Sequence, residues 1–148
     1  MRTALLDVNL LTALFWAPHV HHGAAHQWFS RRRTSGSWAT CPITQLGVVR
    51  VLSNPSVSSD ALTPAQALAL LESNLVDPAH EFWADAIALP TATASMRSVL
   101  QGHQQLTDAY LLGLAAHRHG VLVTFDQGLR QLAARGAESA IEIVPTRG

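Results

Sequence analysis

The sequence predicts an α/β fold in three layers, with a parallel sheet of about four to five strands between layers of helices. Short apolar runs alternate along the chain with longer segments in which apolar residues recur at helical spacing. The runs at 4–6 and 121–123 are apolar throughout, as expected for strands buried on both faces of a parallel sheet. With 148 residues, the chain is predicted to form a single domain over 1–148.

The first part of the chain contains two predicted strands and three predicted helices. In order, these are a strand at 4–6, a helix at 10–15, a turn at 18–23, a helix that ends in the arginine run 31–33, a strand at 38–41 and a helix from Pro42 to 53–55. Proline suits the first position of a helix, because its missing N–H group would have no partner there. The boundary at Pro42 is therefore well marked.

The middle of the chain begins with a strong helix-start signal. Thr63, Pro64 and Gln66 combine an N-cap, a proline at the first helical position and a capping-box glutamine. They predict a helix from Pro64 to about Val76. The other predictions for this part are a buried stripe at Leu68, Leu71 and Leu75, a third short strand at 81–84 and a small helix at 93–100.

The segment from Thr107 to Asp126 is predicted to form a helix and then a strand, with a carboxylate directly after the strand. Thr107 is a plausible N-cap, which would place Asp108 in the first helical turn, and Gly120 would end the helix. The apolar run at 121–123 is the next strand, so Asp126 follows its carboxyl end. A helix at 128–134 and a last strand at 141–144 are predicted to complete the chain.

Asp7 and Asp126 each follow a predicted strand of the same sheet. In open α/β sheets, ligands bind beyond the carboxyl ends of the strands, so these two carboxylates are expected to converge. The alternative for each residue alone is a simple helix N-cap, because aspartate is a preferred capping residue.

The composition narrows the possible functions. The formal net charge is zero, and all ten basic residues are arginine, which excludes chemistry that needs a phosphate-loop or Schiff-base lysine. Cys41 is the only cysteine, so neither an internal disulfide nor a cysteine zinc cluster can form. No apolar run approaches the roughly 20 residues that span a bilayer. The N-terminus opens directly into a predicted strand and not into a signal peptide, so we expect a cytoplasmic protein. We also expect a protein partner, because hydrophobic residues make up 48% of the chain and charged residues only 14%.

Four segments together resemble the motifs of PIN-domain ribonucleases, and more narrowly those of VapC-type toxins of bacterial toxin–antitoxin pairs. The segments are residues 5–11, residues 42–45 with Arg50, residues 106–110 and residues 123–126. The resemblance implies a PIN-like domain that is a metal-dependent endoribonuclease, pairs as a homodimer and is neutralised by a cognate VapB-type antitoxin. RNA would be its substrate.

By position, the resemblance assigns Asp7, Asp108 and Asp126 as the catalytic and metal-site acids, and Asn9 and Thr124 as supporting polar residues. Carboxylates gathered in one place repel one another and need a cation to stay ionised together. Oxygen ligands favour hard ions, here Mg²⁺ or Mn²⁺. The chain departs from the family at Gln45, where a glutamate is usual. The alternative function is therefore a metal-impaired module that binds RNA or antitoxin without appreciable cleavage, unless a more distant acid such as Asp85 compensates.

Two basic groups offer further candidate sites. No acid occurs between Asp7 and Asp60, so the four arginines of that interval, Arg31, Arg32, Arg33 and Arg50, are predicted to contact RNA phosphates. A solvated helix end is the alternative for 31–33. The histidines at positions 19, 21, 22 and 26 could instead form a zinc site, or simply a polar turn and helix start.

Overall fold

The computed structural model describes residues 1–133 and 140–146. Within these ranges, five parallel strands form one sheet in the order β3-β2-β1-β4-β5. The strands are β1 (Ala4–Leu6), β2 (Trp38–Thr40), β3 (His80–Phe82), β4 (Val121–Thr124) and β5 (Ile141–Ile143). The predicted parallel sheet is confirmed, with each boundary within one or two residues of its expected place.

Helices cover both faces of the sheet. They are α1 (Val8–Phe15), α2 (His22–Ser35), α3 (Pro42–Leu52), α4 (Pro64–Leu75), α5 (Leu89–Ala92) and α6 (Leu106–His117), with 3₁₀ helices over Ala94–Val99, His103–Gln105 and Gln127–Gln131. None of the helices in the described ranges has both the length and the apolar character needed to span a bilayer.

The core lies in two clusters, one on each face of the sheet, because successive side chains of a strand point to opposite faces. Leu5, Ala39 and Leu122 pack with buried residues of α5 and α6. Leu6 and Val123, the neighbours of Leu5 and Leu122, pack on the other face with buried residues of α1, α2, α3 and α4. This is the three-layer arrangement that the sequence predicts.

The capping box at α4 is confirmed, since Thr63 Oγ1 accepts a hydrogen bond from the Gln66 N–H at 3.1 Å and Gln66 Oε1 accepts one from the Thr63 N–H at 2.9 Å. The predicted stripe on this helix is wrong in part. Leu71 is buried, but Leu68 is 55% exposed, and Ala67 occupies the core position instead. Leu71 and Leu75 still pack against the core, so the structure differs from the predicted stripe at its first position only.

The start and end of α6 also differ from the prediction. Gln105 is the N-cap, and a 3₁₀ helix runs directly into α6, so Thr107 lies inside the first turn; Asp108 keeps its predicted place there. At the other end, His119 adopts the left-handed conformation, with φ of 58°. Gly120 is needed for space, because a Cβ atom there would lie 2.6 Å from the Thr3 carbonyl oxygen and from the Trp83 ring.

Two smaller elements were predicted with the wrong type or extent. The segment at 93–100 forms the 3₁₀ helix Ala94–Val99 after the short α5, and the segment after Asp126 forms the 3₁₀ helix Gln127–Gln131 rather than an α-helix. The predicted end of that helix at Ala134 lies outside the described residues. Such short segments contain too few residues for their period to distinguish the two helix types.

Candidate active site

Asp7 and Asp126 come together because β1 and β4 are neighbours in the sheet. The strands pair with Leu6 opposite Val123, and the Asp7 N–H extends this pairing by donating to the Val123 carbonyl oxygen at 3.2 Å. Both aspartates therefore leave the carboxyl edge of the sheet side by side. This is the convergence that the strand ends predict.

Asp7 is a buried carboxylate with two hydrogen-bond donors. It is 6% exposed and is the N-cap of α1, where its Oδ1 accepts from the Leu10 N–H at 2.8 Å. The Thr124 hydroxyl donates a second hydrogen bond to the carboxylate. Burial nevertheless dominates, and together with the nearby charges of Asp108 and Asp126 it raises the pKa of Asp7 to about 6.

Thr124 links the two strand-end aspartates. Its side chain is 1% exposed, and its Oγ1 accepts a hydrogen bond from the Asp126 N–H at 3.0 Å while its hydroxyl donates to Asp7. Asp126 in turn caps the following 3₁₀ helix, with its Oδ1 accepting from the Gly128 N–H at 2.8 Å. Capping and site formation are thus compatible at both aspartates.

Asp108 joins these two residues from the first turn of α6. Burial raises its pKa, and the charge of Asp126 raises it further. Because Asp126 acts electrostatically on both other carboxylates, the three side chains share one region, which we call the acidic site. Three elements distant in sequence supply it: the start of α1, the start of α6 and the end of β4.

Gln45 lies in the first turn of α3, at the carboxyl end of the neighbouring strand β2. Its Nε2 donates to Thr40 Oγ1 at 2.9 Å, and Thr40 Oγ1 lies 2.8 Å from His80 Nε2. Sequence reasoning missed both Thr40 and His80. Only the pairing of β2 with β3, which places Thr40 opposite Phe82, reveals that they are close to Gln45.

Three other residues singled out in the sequence lie on the surface. Asn9 is exposed in the first turn of α1, and Arg50 is exposed in the last turn of α3. Asp85 is also exposed, and its charge acts on Tyr110. The carboxylates that raise the pKa values of Asp7 and Asp108 are members of the acidic site. Compensation by Asp85 for the missing glutamate therefore has no electrostatic support.

The expectation that the arginine run is locally unopposed is wrong. Arg33 forms a two-pronged ion pair with Asp77, with distances of 2.7 and 3.1 Å. Arg32 is 6% exposed, lies 4.0 Å from Glu142 and donates to the Ser37 carbonyl oxygen just before β2 begins. These contacts place the run at the amino ends of the strands, opposite the acidic site. Arg31 is exposed there.

The histidines act mainly at a helix end. His22 Nδ1 lies 2.7 Å from the Ala13 carbonyl oxygen, and His26 Nε2 lies 3.1 Å from that of Leu14. Carbonyls in the last turn of a helix lack helical partners, so these rings satisfy the end of α1. His19 Nδ1 accepts the His21 N–H at 3.0 Å. Each contact uses one ring nitrogen and leaves the other open, but among residues 1–133 and 140–146 no three potential ligands are gathered closely enough to hold an ion, which favours the polar-turn interpretation.

The acidic site has the donor chemistry of a hard-cation site. Among residues 1–133 and 140–146, no three His, Cys, Asp or Glu side chains are gathered closely enough to hold an ion by themselves. Beyond the effect of burial, the charges of Asp108 and Asp126 nevertheless raise the pKa of Asp7, and that of Asp126 raises the pKa of Asp108, so a divalent cation would relieve the repulsion. An ion such as Mg²⁺, which keeps several waters, suits this site better than one that needs a complete set of protein ligands.

Comparison with known proteins identifies the family, since the PIN domain matches residues 4–135. This chain belongs to the PIN-domain family. PIN-domain relatives from Mycobacterium tuberculosis are similar along nearly their whole length. Ribonuclease VapC39 is 46% identical over 90% of this chain and 96% of its own, and Ribonuclease VapC38 is 41% identical over 95% and 97%. The similarity places the chain with the VapC-type PIN proteins.

A solved structure confirms the PIN-like fold. It is the crystal structure of VapBC2 from Rickettsia felis bound to a DNA fragment from their promoter, and one of its chains superposes with a TM-score of 0.69. The alignment covers 97% of this chain and 99% of the other, at 11% sequence identity. At that identity, the similarity concerns the PIN fold alone.

Proposed function

We propose that this chain is a metal-dependent endoribonuclease toxin that cleaves phosphodiester bonds in RNA. The observation that carries the proposal is the meeting of Asp7, Asp108 and Asp126 at the carboxyl edge of a PIN-domain sheet. Relatives that share more than two fifths of their residues with this chain bear the name ribonuclease, which supports RNA as the substrate.

In this proposal the acidic site holds Mg²⁺ or Mn²⁺, partly through water. Such an ion lowers the pKa of a bound water and stabilises negative charge on a phosphate oxygen. The residues of the chain prepare the site for it. Thr124 orients Asp7 by donating to its carboxylate, and α6 supplies Asp108 from its first turn. The hydrogen bond from Leu10 fixes the second contact of Asp7, so the buried carboxylate has little freedom to turn.

The proposed RNA contacts are electrostatic. Arg50 is exposed on α3, the helix that begins with the Gln45 turn, so it could bind a phosphate near the acidic site. Arg31 is exposed at the opposite edge of the sheet and would contact only a longer RNA. Arg32 and Arg33 contribute charge but are held by Glu142 and Asp77. We therefore assign the first RNA contact to Arg50.

The proposal includes a VapB-type antitoxin and a second copy of this chain as partners in the cytoplasm. A mainly apolar groove of about 380 Å³, lined in part by the first turn of α6 and by Asp85, offers a surface for a protein. Its lining combines Ile43, Leu89 and Leu106 with Thr107, the residue before Asp108. Leu89 is 48% exposed and Leu106 is 43% exposed, so two large apolar side chains at one groove face solvent in the free chain.

A second candidate function follows from Gln45. A glutamine at the position of the usual glutamate leaves the site with one less negative charge, which lowers its expected affinity for a divalent cation. The chain would then be a PIN module that binds RNA or antitoxin without appreciable cleavage. The amide oxygen of Gln45 remains able to act as a neutral ligand. The active nuclease and the impaired module would therefore differ in how tightly they bind the metal.

One cleavage experiment separates these functions. Purified protein is incubated with structured RNA in Mg²⁺, in Mn²⁺ and in chelator, beside the variant Asp108→Asn and the surface control Asp60→Asn. We expect metal-dependent cleavage by the parent and by the control, and none by Asp108→Asn. Cleavage by Asp108→Asn at the parental rate would remove that residue from the site. RNA binding without cleavage in either metal would favour the impaired module.

A further inference from the structure

Gln45 is one end of a chain of hydrogen bonds that crosses the second and third strands. Its Nε2 donates to Thr40 Oγ1, and Thr40 Oγ1 lies 2.8 Å from His80 Nε2. The backbone carbonyl of Leu75, at the end of α4, also favours a proton on the His80 ring, although burial lowers the pKa of that ring overall. Four elements are therefore connected: α3, β2, β3 and α4.

This series of hydrogen bonds has only one consistent donor-to-acceptor direction. A carbonyl oxygen only accepts hydrogen bonds, so the His80 nitrogen that faces Leu75 carries a proton. Since Nε2 faces Thr40, the protonated nitrogen is Nδ1, and the neutral ring leaves Nε2 as an acceptor. The hydroxyl of Thr40 must then give its single proton to His80. Only the lone pairs of Thr40 Oγ1 remain for the residue at position 45.

The group at position 45 must consequently be a donor. Glutamine supplies an N–H, whereas an ionised glutamate would place a carboxylate oxygen against the lone pairs of Thr40 Oγ1. Thr40 is fully buried, so water cannot easily resolve that mismatch. The ring of Trp38 lies 4.6 Å from the His80 ring and restricts its rotation. The surroundings therefore select an amide with its nitrogen toward β2 and its oxygen on the other side.

We propose that Thr40 and His80 are positioning residues, which fix an amide at position 45 and turn its oxygen outward as a neutral ligand for the acidic site. Glutamine in place of the family's glutamate is then the residue that Thr40 and His80 require, and is more than the loss of a charge. The inference rests on the proposed nuclease function only for the role of that oxygen. The hydrogen-bond chain itself can be tested in metal-free protein.

The first test is a double-mutant cycle in chelator. The variants are Gln45→Glu, His80→Phe and both together, with Gln27→Glu on the exposed face of α2 as the control for adding a charge. His80→Phe keeps a ring against Trp38 but frees the Thr40 hydroxyl to donate to a carboxylate. We expect Gln45→Glu to increase the unfolding equilibrium constant about tenfold in the parent and much less beside His80→Phe. Equal losses of stability in both backgrounds would assign the cost to repulsion among carboxylates. That result would refute the proposed series of hydrogen bonds.

The second test measures the tautomer of His80 in the parent protein, and uses a substitution only to assign the signal. Long-range ¹H–¹⁵N spectra of histidine-labelled parent protein report which ring nitrogen of each neutral histidine carries the proton, and His80→Phe identifies the signal. We expect the Nδ1–H tautomer for His80. The Nε2–H tautomer would reverse the direction of the chain and refute the selection of an amide.

The link to the acidic site is tested by Mn²⁺ titration calorimetry of Thr40→Val and Thr40→Ser. Valine keeps the volume but loses the hydroxyl, whereas serine restores it. We expect Thr40→Val to weaken Mn²⁺ binding several-fold and Thr40→Ser to bind like the parent. Parental affinity in Thr40→Val would refute the positioning role. Absence of RNA cleavage by a parent protein that passes all three tests would refute the proposed function and leave this inference standing.

Discussion

Replacing Asp7 by Asn should stabilise the metal-free protein at neutral pH. Burial raises the pKa of Asp7 from its ordinary value of 3.8 to about 6, so between these two pH values the folded protein holds a proton that the unfolded chain has released. Each pKa unit corresponds to about 1.36 kcal/mol, so ionising Asp7 costs the folded state about 3 kcal/mol. Asparagine removes this cost and caps a helix about as well as aspartate does.

The pH dependence gives the direction of the effect. Between pH 3.8 and about 6 the folded state binds more protons than the unfolded state, so the free energy of unfolding of the parent should fall as pH rises through that window. Above that window the parent has lost the full contribution of Asp7 to the free energy of unfolding. Asp7→Asn should lack this decline, so the two proteins should be similar near pH 4 and differ most near pH 7.

Urea denaturation in chelator at a series of pH values measures both quantities. Asp60→Asn, at an exposed loop position, is the matched control and should follow the parent. Adding Mn²⁺ at neutral pH should make the parent more stable than Asp7→Asn, because only the parent has a charged ligand at position 7. If Asp7→Asn unfolded like the parent at every pH, Asp7 would not be the buried charge described above, and the acidic site would lose its central member.

The remaining predictions concern packing, RNA contact and the helix end. Gly47→Ala should destabilise the fold by about 1–3 kcal/mol, because its Cβ would lie 2.5 Å from Val8 Cγ2, and Val8→Ala should restore much of the loss in urea unfolding. Arg50→Ser should reduce the salt dependence of RNA binding by about one phosphate, whereas Arg33→Ser should lower stability and leave that slope unchanged. His22→Ala should lower the melting temperature without altering zinc binding in calorimetry, and a loss of zinc binding would restore the metal-site interpretation.

Local signals in the sequence correctly predict the features that depend on neighbouring residues. The Thr63 cap needs only residues up to Gln66, and the two strand-end aspartates follow from apolar runs and the geometry of parallel strands. Features that depend on distant contacts were missed. The ion pair of Arg33 with Asp77 and the contact of Thr40 with His80 exist only once β2 and β3 have paired, and no short-range pattern encodes them.

The arrangement of β1 between β2 and β4 has a consequence for protein synthesis. Asp7 emerges from the ribosome among the first residues, but its neighbours Thr124 and Asp126 are made near the end of the chain. Contacts between such distant segments form late in folding, since a long loop must close first. An incomplete nascent chain therefore lacks a complete acidic site. Any activity of that site begins only after nearly the whole domain has been translated and β4 has inserted beside β1.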